Sequence, residues 1–382
     1  MEFVTAGESH GPALTAIVTG VPAGVRIDED ALNADLVRRQ GGYGRGGRQK
    51  IEHDTVRVLS GVRFSKTLGT PVALEVANAD HANWKGRMDV FGEAPTGLSR
   101  ETHPRPGHAD LVGMLKLGSD DARDVLERSS ARETAARVAA GGIAKALLRE
   151  LGVEVRSYVK RIGDVSIGLL DHPDFVAAEA ASCRCPDEKA NVRMEAAIDA
   201  ARAAGESLGG EVVVVADGLV PGLGSFASGP ERLTSKLGAA AFAIPAIKGV
   251  EFGLGFAAAA RPGSQVHDGI VYSKELGYGR TGNNAGGLEG GMTTGQPLVM
   301  TLAMKPIPTM MKPLDTVDTD THEPVKASKE RSDVCAVPAM GVVAEAEVAF
   351  VLAGAYLDKF GADALSDILT ARDAYLARIA QA

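Results

Sequence analysis

With 382 residues, of which 45% are hydrophobic and 24% charged, the chain can bury a large core and lies outside disordered, collagen-like and coiled-coil compositions. Its formal net charge of −8 excludes broad attraction to nucleic acid or anionic lipid, so any anion site must be local. The start MEFVTAGESHG has no basic segment followed by an apolar run, and the uncharged stretch from Val334 to Ala344 is too short to span a bilayer; the expectation is a cytoplasmic protein without a membrane segment.

No fixed-period repeat, low-complexity tract or Pro/Ser-rich linker interrupts the chain, which predicts one continuous domain over residues 1–382. A strand-like beginning runs into Thr5-Ala-Gly-Glu-Ser-His-Gly11, where glycines expose Glu8, Ser9 and His10. A histidine suits proton transfer near neutrality, although a lone loop histidine can also be a satisfied structural one. Next comes Arg38-Arg-Gln-Gly-Gly-Tyr-Gly-Arg-Gly-Gly-Arg-Gln-Lys50, with five basic residues, five glycines and no acid. Guanidinium forks on a glycine-rich backbone match bidentate recognition of phosphate or carboxylate; the competing reading is an RNA-binding strand using charge and Tyr43. In His103-Pro-Arg-Pro-Gly-His-Ala-Asp110, two prolines stiffen the loop and hold Arg105 and His108 at a set separation, as a catalytic pair requires and as a plain structural turn would also do.

Ser130 followed by Glu133 is a capping-box signature that predicts a helix from Ser130 to about Glu150, stopped at Gly152. Its middle is apolar on nearly every face, and Gly141-Gly142 permit a neighbour to come close. Arg128, Ser129, Ser130 and Arg132 at its start suggest an anion site, because arginines at the positive end of a helix dipole are unfavourable without an anion. Cys183, Cys185 and Cys335 support neither an even disulfide framework nor a zinc site, so they read as reduced thiols and no metal is expected. Further along, Ala190 to Ala204 and Val343 to Leu357 read as helices, and Val212 to Val215, Gly269 to Tyr272 and Leu298 to Met304 as strands. Glu289 to Gly295, Lys305 to Thr309 and Arg331 to Cys335 each couple a glycine-bearing or rigid backbone to a charge. Neither a dinucleotide fingerprint nor a P-loop stands in a suitable place.

Taken in order, GESHG from Gly7, RRQGGYGRGGR from Arg38, HPRPGHAD from His103, ERSSARETA from Glu127, KGVEFGLGF from Lys248, EGGMTTGQP from Glu289 and KPIPT from Lys305 resemble the signature segments of the chorismate synthases, over nearly the whole chain. The resemblance implies an α+β fold: a single large domain with helices sandwiched between antiparallel sheets, assembled as a homotetramer. It implies a lyase of the shikimate pathway, serving aromatic amino acid biosynthesis. The reaction would be anti-1,4 elimination of phosphate from 5-enolpyruvylshikimate 3-phosphate to give chorismate. Reduced FMN is the implied cofactor, thought to lend an electron and recover it, with NADPH as the indirect source of reducing equivalents. No flavin reductase domain is recognisable, so an external reductase is the expected partner.

By motif, the resemblance makes His10 and His108 the acid/base histidines, with Asp333 as a third catalytic group that helps flavin N5 take the substrate proton. Arg39, Arg45, Arg105 and Arg132 become substrate clamps, Arg39 and Arg45 being alternatively NADPH contacts. The implied FMN contacts are Arg128, Ser129, Ser130, Ala246, Gly290, Lys305, Pro306, Ile307, Pro308, Thr309 and Arg331. Two positions depart from the family pattern. Pro245 stands where an amide residue is usual, which removes a side-chain donor and an N–H, and Glu206 stands where aspartate is usual.

Overall fold

The computed structural model describes residues 1–47, 53–274, 277–330 and 332–381; Arg48 and Lys50 of the basic loop and Arg331 of the implied flavin contacts lie outside them. Two antiparallel sheets enclose the main helices. The first sheet contains β1 (Glu2–Ala6), β2 (Ala13–Thr19), β3 (Val56–Val58) and β4 (Val72–Ala77), in the order β1-β2-β4-β3. The second contains β5 (Glu154–Ile162), β6 (Val165–Ser166), β7 (Gly210–Asp217), β8 (Ile247–Phe252) and β9 (Leu298–Met304), in the order β8-β9-β7-β5-β6. The helices are α1 (Glu29–Gln40), α2 (Asp110–Leu117), α3 (Arg123–Ser129), α4 (Thr134–Glu150), α5 (Phe175–Ala180), α6 (Glu188–Ala204), α7 (Leu233–Ala243), α8 (Val337–Phe360) and α9 (Leu365–Ile379). Helix α4 packs on β2 and β4, α8 packs on β5 and β7, and the two helices pack on each other, which is the α+β arrangement expected from the family resemblance.

The run Val212 to Val215 is apolar without alternation because β7 lies between β9 and β5 and is covered on both faces. Val212 and Val214 join the main core, whereas Val213 and Val215 pack with Tyr158 and Ala178, against which Phe175 also lies. The close approach foreseen at Gly141-Gly142 is present. A Cβ on Gly141 would lie 2.3 Å from the Ala346 Cβ of α8, and one on Gly142 would lie 2.5 Å from a Leu32 methyl of α1. At the other end of α4, Gly152 takes φ +79°, and the N–H groups of Gly152 and Val153 donate to the carbonyls of Arg149 and Leu148, so the predicted stop is a Schellman motif.

The predicted start of that helix needs correction. Ser130 accepts from the Arg132 N–H and caps a 3₁₀ turn over Ala131–Glu133, and α4 proper begins only at Thr134. Glu133 does not reach back to complete a capping box: its carboxylate accepts from the Thr5 hydroxyl and from Arg137. Arg128 belongs to the last turn of α3, where a cation favours the dipole, so it needs no external anion there.

Helix α8 extends the predicted Val343–Leu357 segment at both ends, with Pro338 tolerated in its first turn. It is long and apolar enough to cross a membrane by length and composition, yet 89% of its most apolar window is buried inside the protein. At its middle, Glu345 has no exposed surface and accepts from Arg38, Lys145, Ser157 and Arg184. Burial alone raises a carboxyl, but Lys145, Arg38 and Arg184 outweigh it and hold Glu345 well below the usual range.

Two outcomes test this packing. Gly141→Ala should cost about 1–3 kcal/mol through overpacking, read as a lower urea midpoint at unchanged slope. Glu345→Gln removes the buried carboxylate shared by Arg38, Lys145 and Arg184 and leaves the three cations only Asp35 and Glu179 among the described residues, which should cost about 3–5 kcal/mol at neutral pH. Because the folded carboxyl is depressed, this contribution is complete above the unfolded value of about 4.5 and fades as pH falls below it, so acidification should close the gap between variant and wild type.

Candidate active site

A cavity of about 660 Å³ opens where the β1–β2 loop, the end of α1, the α3–α4 junction, the α7–β8 turn and the segments after β9 and before α8 converge. Gly7 starts the first of these with φ +112°, where a Cβ would lie 2.5 Å from the Ala13 carbonyl oxygen. The Asn78 side chain donates to the Glu8 and Gly11 carbonyls and pins the loop over the first sheet.

His10 is 6% exposed and fully framed. Its backbone N–H and its Nδ1 each lie 2.8 Å from a different oxygen of Glu127, its carbonyl meets Nδ1 of His81 at 2.9 Å, and its ring stacks on Trp84 at 3.8 Å between centroids. His108 places Nδ1 2.5 Å from Asp110, with a guanidinium nitrogen of Arg105 at 3.1 Å from the same Nδ1. Nδ1 cannot serve both as donor to the acid and acceptor from Arg105. The shorter contact to the carboxylate decides for the donor, and Arg105 is already satisfied by Asp110 and Thr309. Burial would raise Asp110, but His108 and Arg105 outweigh it and hold the carboxyl well below its usual range; Glu127 is lowered in the same way against its burial by His10 and Arg123.

Among the described residues, six cationic side chains line the cavity (Arg39, Arg45, Arg105, Arg132, Lys248 and Lys305) against the carboxylates of Glu330 and Asp333. Most of the arginines are anchored from behind. Arg132 donates to both oxygens of Asp54, to Asn78 and to the Ala77 carbonyl, and Arg39 donates to Thr134, Asp54 and the Ala131 carbonyl. Burial, reinforced by the neighbouring Arg132 and Arg45 charges and opposed by Asp54, pushes Arg39 down to about 10, still charged at neutral pH. Lys305 is lowered by burial and by Lys248. Both shifts report a positive field that an anion would relieve. Arg45 is the least committed: Nη1 binds Asp333 at 2.6 Å, while Nε is buried without a partner among the described residues.

The opposite wall is apolar, formed by Phe242 to Ile247, Met340 and Val343. The N–H of Ile247 returns to the Ile244 carbonyl at 3.3 Å, closing a turn in which Pro245 precedes Ala246 at φ +69°. This is the type II pattern, with proline at the position that favours it; the N–H that Pro245 lacks is not used by the turn. Ala246 occupies the position that glycine would fill without strain.

Of the residues singled out from sequence, His10, His108, Asp333, Arg39, Arg45, Arg105, Arg132, Ser129, Ser130, Ala246, Lys305, Ile307, Pro308 and Thr309 line this cavity. Arg128, Gly290 and Pro306 do not. Arg128 donates to the Thr5 and Gly7 carbonyls, Gly290 is exposed in a turn between Leu288–Glu289 and Met292–Thr293, and Pro306 is exposed. Glu206 is exposed away from the cavity. At the helix start, Arg132 is neutralised by Asp54 inside the protein, so its position there does not by itself call for an external anion. Arg38, counted with the basic loop, points the other way, to Glu345. With Arg39 and Arg45 also turned inward and Tyr43 donating to Asp199, the described part of the loop, up to Gly47, does not present the open basic strand that single-stranded RNA binding requires.

Sequence reasoning missed Asp54, Trp84, Asp110 and Glu127. Asp110 and Glu127 lay inside quoted motifs, and Trp84 is the sole tryptophan, but a helical glutamate reads as solvated until the fold buries it. The cysteines are buried free thiols, Cys183 and Cys335 being pushed up to about 12 by burial.

The family model for chorismate synthase matches residues 1–357. The chain is 55% identical over 380 residues to the chorismate synthase of Rubrobacter xylanophilus, covering 99% of this chain and 97% of that one. It is 53% identical over 390 residues to that of Symbiobacterium thermophilum, with full coverage of both, and 51% identical over 379 residues to that of Bacillus subtilis, covering 96% of each. A solved structure described as the crystal structure of chorismate synthase superposes with a TM-score of 0.80 at 38% identity, covering 100% of this chain and 98% of that chain.

A local positive field predicts anion-dependent stability. Inorganic phosphate should raise the thermal unfolding midpoint of the wild type, the shift should shrink with added sodium chloride, and Arg45→Ala should lose most of it. A phosphate effect of equal size in the variant would place the anion elsewhere.

Proposed function

The chain belongs to the chorismate synthase family, and from that premise we propose that it is a carbon–oxygen lyase converting 5-enolpyruvylshikimate 3-phosphate to chorismate and phosphate with bound reduced FMN. One observation carries the proposal. A single cavity joins six cations, two histidines backed by carboxylates and an apolar wall, which suits a small polyanion lying against a flat aromatic cofactor. In the reaction, the ring C–H bond and the C–O bond to phosphate both break. The C–H pair becomes a new ring double bond, the existing one shifts, and phosphate departs with the C–O pair, so there is no net redox change.

The substrate carries a phosphate and two carboxylates, and Arg39, Arg45, Arg105 and Arg132 supply matching charge from fixed positions. Arg45 is placed to bind most directly, since its Nε is free of partners among the described residues. The sharing of one cavity with His10 supports the substrate role of Arg39 and Arg45 over an NADPH role. His10 and His108 act as the acid/base pair, and Asp333, held by Arg45 and the Gly46 N–H, is the third group.

The apolar wall from Ile244 to Ile247, with Met340 and Val343, would hold the flavin ring, and Ser129, Ser130, Lys305, Ile307, Pro308 and Thr309 would hold its polar parts. The chemistry that bound reduced FMN would supply is transient electron donation to ease phosphate departure, with no net redox change. The buried Arg39, Arg105, Arg132 and His10 would keep the leaving phosphate oxygens within a positive field. A homotetramer and a separate NADPH-dependent flavin reductase complete the proposal.

The deciding assay is anaerobic incubation with dithionite-reduced FMN and the enolpyruvyl substrate, following phosphate and chorismate together. Equal amounts of both are expected, and NADPH should replace dithionite only when a flavin reductase is added. His10→Ala and His108→Ala should each lower kcat about 10²-fold or more with the fold retained. Full activity in both variants would remove the acid/base assignment, and net oxidation of the substrate would remove the lyase.

A further inference from the structure

Each histidine of the cavity backs onto a buried carboxylate, and the two pairs are built on unrelated parts of the fold. For His10 the support comes from one residue of α3. The Glu127 carbonyl accepts from the Ser9 N–H at 2.9 Å, one carboxylate oxygen accepts from the His10 N–H, and the other meets Nδ1. The same carboxylate thus fixes both the backbone and the ring of one residue. Trp84 stacks on the ring face and His81 reaches the His10 carbonyl, so the plane of the ring and its backbone are held, while the contact from Nδ1 to Glu127 decides which edge of the ring faces the carboxylate. Glu127 is itself 3% exposed and also takes a contact of 3.4 Å from Arg123, which pairs with Glu330.

We propose that Glu127 is the positioning residue that holds His10 in its Nδ1–H tautomer, making Nε2 the nitrogen through which His10 exchanges a proton with the ligand, and that Asp110 sets His108 in the same way. The inference deepens the acid/base reading above and rests on it. An ionised carboxylate has only lone pairs to offer, so the shared hydrogen must sit on Nδ1 whether the ring is neutral or cationic. The titrating proton is left on Nε2, which has no protein partner among the described residues, in a side chain that lines the cavity. In the transfer, the Nε2–H bond pair stays on nitrogen and a lone pair of the departing phosphate oxygen takes the proton. Glu127 keeps its charge throughout.

The two supports differ in what else they hold. Asp110 also takes three hydrogen bonds from Arg105, so removing its charge disturbs an anion clamp as well as a histidine. Among the described residues, Glu127 has no hydrogen bond to an arginine or lysine lining the cavity, which makes it the cleaner test. Glu127→Gln keeps the shape but gives the side chain an N–H₂ that can donate to Nδ1 and so admits the Nε2–H tautomer.

The test pairs spectroscopy with kinetics on the full-length protein labelled with ¹⁵N-histidine, the His10 signals being assigned by their loss in His10→Ala. The wild type should show a protonated Nδ1 and an unprotonated Nε2 in neutral His10. Glu127→Gln should shift population to the Nε2–H form and lower kcat about 10²-fold or more at nearly unchanged KM and unfolding midpoint. Glu127→Asp should recover the tautomer and part of kcat, whereas Asp110→Asn should raise KM as well. A neutral wild-type His10 protonated at Nε2 instead of Nδ1, or a Glu127→Gln variant within threefold of wild-type kcat, overturns the proposal. Failure of the wild type to form chorismate would overturn the proposed reaction instead, and the tautomer would still be decided by the spectrum.

Discussion

Glu345 lies at the centre of the core helix with no contact with water, and keeping a carboxylate there requires charges from other elements: Arg38 near the end of α1, Lys145 from α4 and Arg184 from the segment before α6, with the Ser157 hydroxyl from β5. An ion of this kind is stable in the interior only when its partners are in place, so the four elements must be seated together. The register this imposes reaches the cavity through one peptide bond. Arg38 turns to Glu345 and its neighbour Arg39 turns to Asp54, so the end of α1 is held from two sides.

The same device recurs at the cavity. A protein of net charge −8 concentrates six cations, among the described residues, around one opening, and it does so by anchoring guanidinium groups to carboxylates: Arg132 and Arg39 to Asp54 and Arg105 to Asp110, behind them, and Arg45 to Asp333 in the cavity wall. These carboxylates orient the forks and reduce mutual repulsion without cancelling the field. The residual strain is visible at Arg39 and Lys305, whose charged forms are disfavoured by burial and by cationic neighbours. A polyanionic ligand would complete an arrangement that the protein alone leaves unbalanced.

Much of this was legible in the residues. The glycine pair in α4, its stop at Gly152 and two strands of the second sheet, β7 and β9, followed from close-approach, left-handed and apolar-run arguments. The convergence of His10, His108 and the four arginines came from family resemblance, since residues so far apart in sequence carry no local signal of their meeting. What stayed hidden were the partners behind them. Asp54, Asp110 and Glu127 are ordinary acids in sequence and become structural only when the fold removes their water. The capping-box reading of Ser130 and Glu133 failed for a related reason: Thr5 from β1 competes for Glu133, and a long-range partner displaced the local one.

The turn from Ile244 to Ile247 has a consequence for how the apolar wall behaves before any ligand arrives. Proline narrows the conformations open to the unfolded chain at that point, which offsets part of the cost of holding Ala246 at a positive φ. The wall is therefore rigid in advance, and a planar group settling on it forfeits little disorder in the protein. Proline at this position thus gives the wall preorganisation, an entropic contribution.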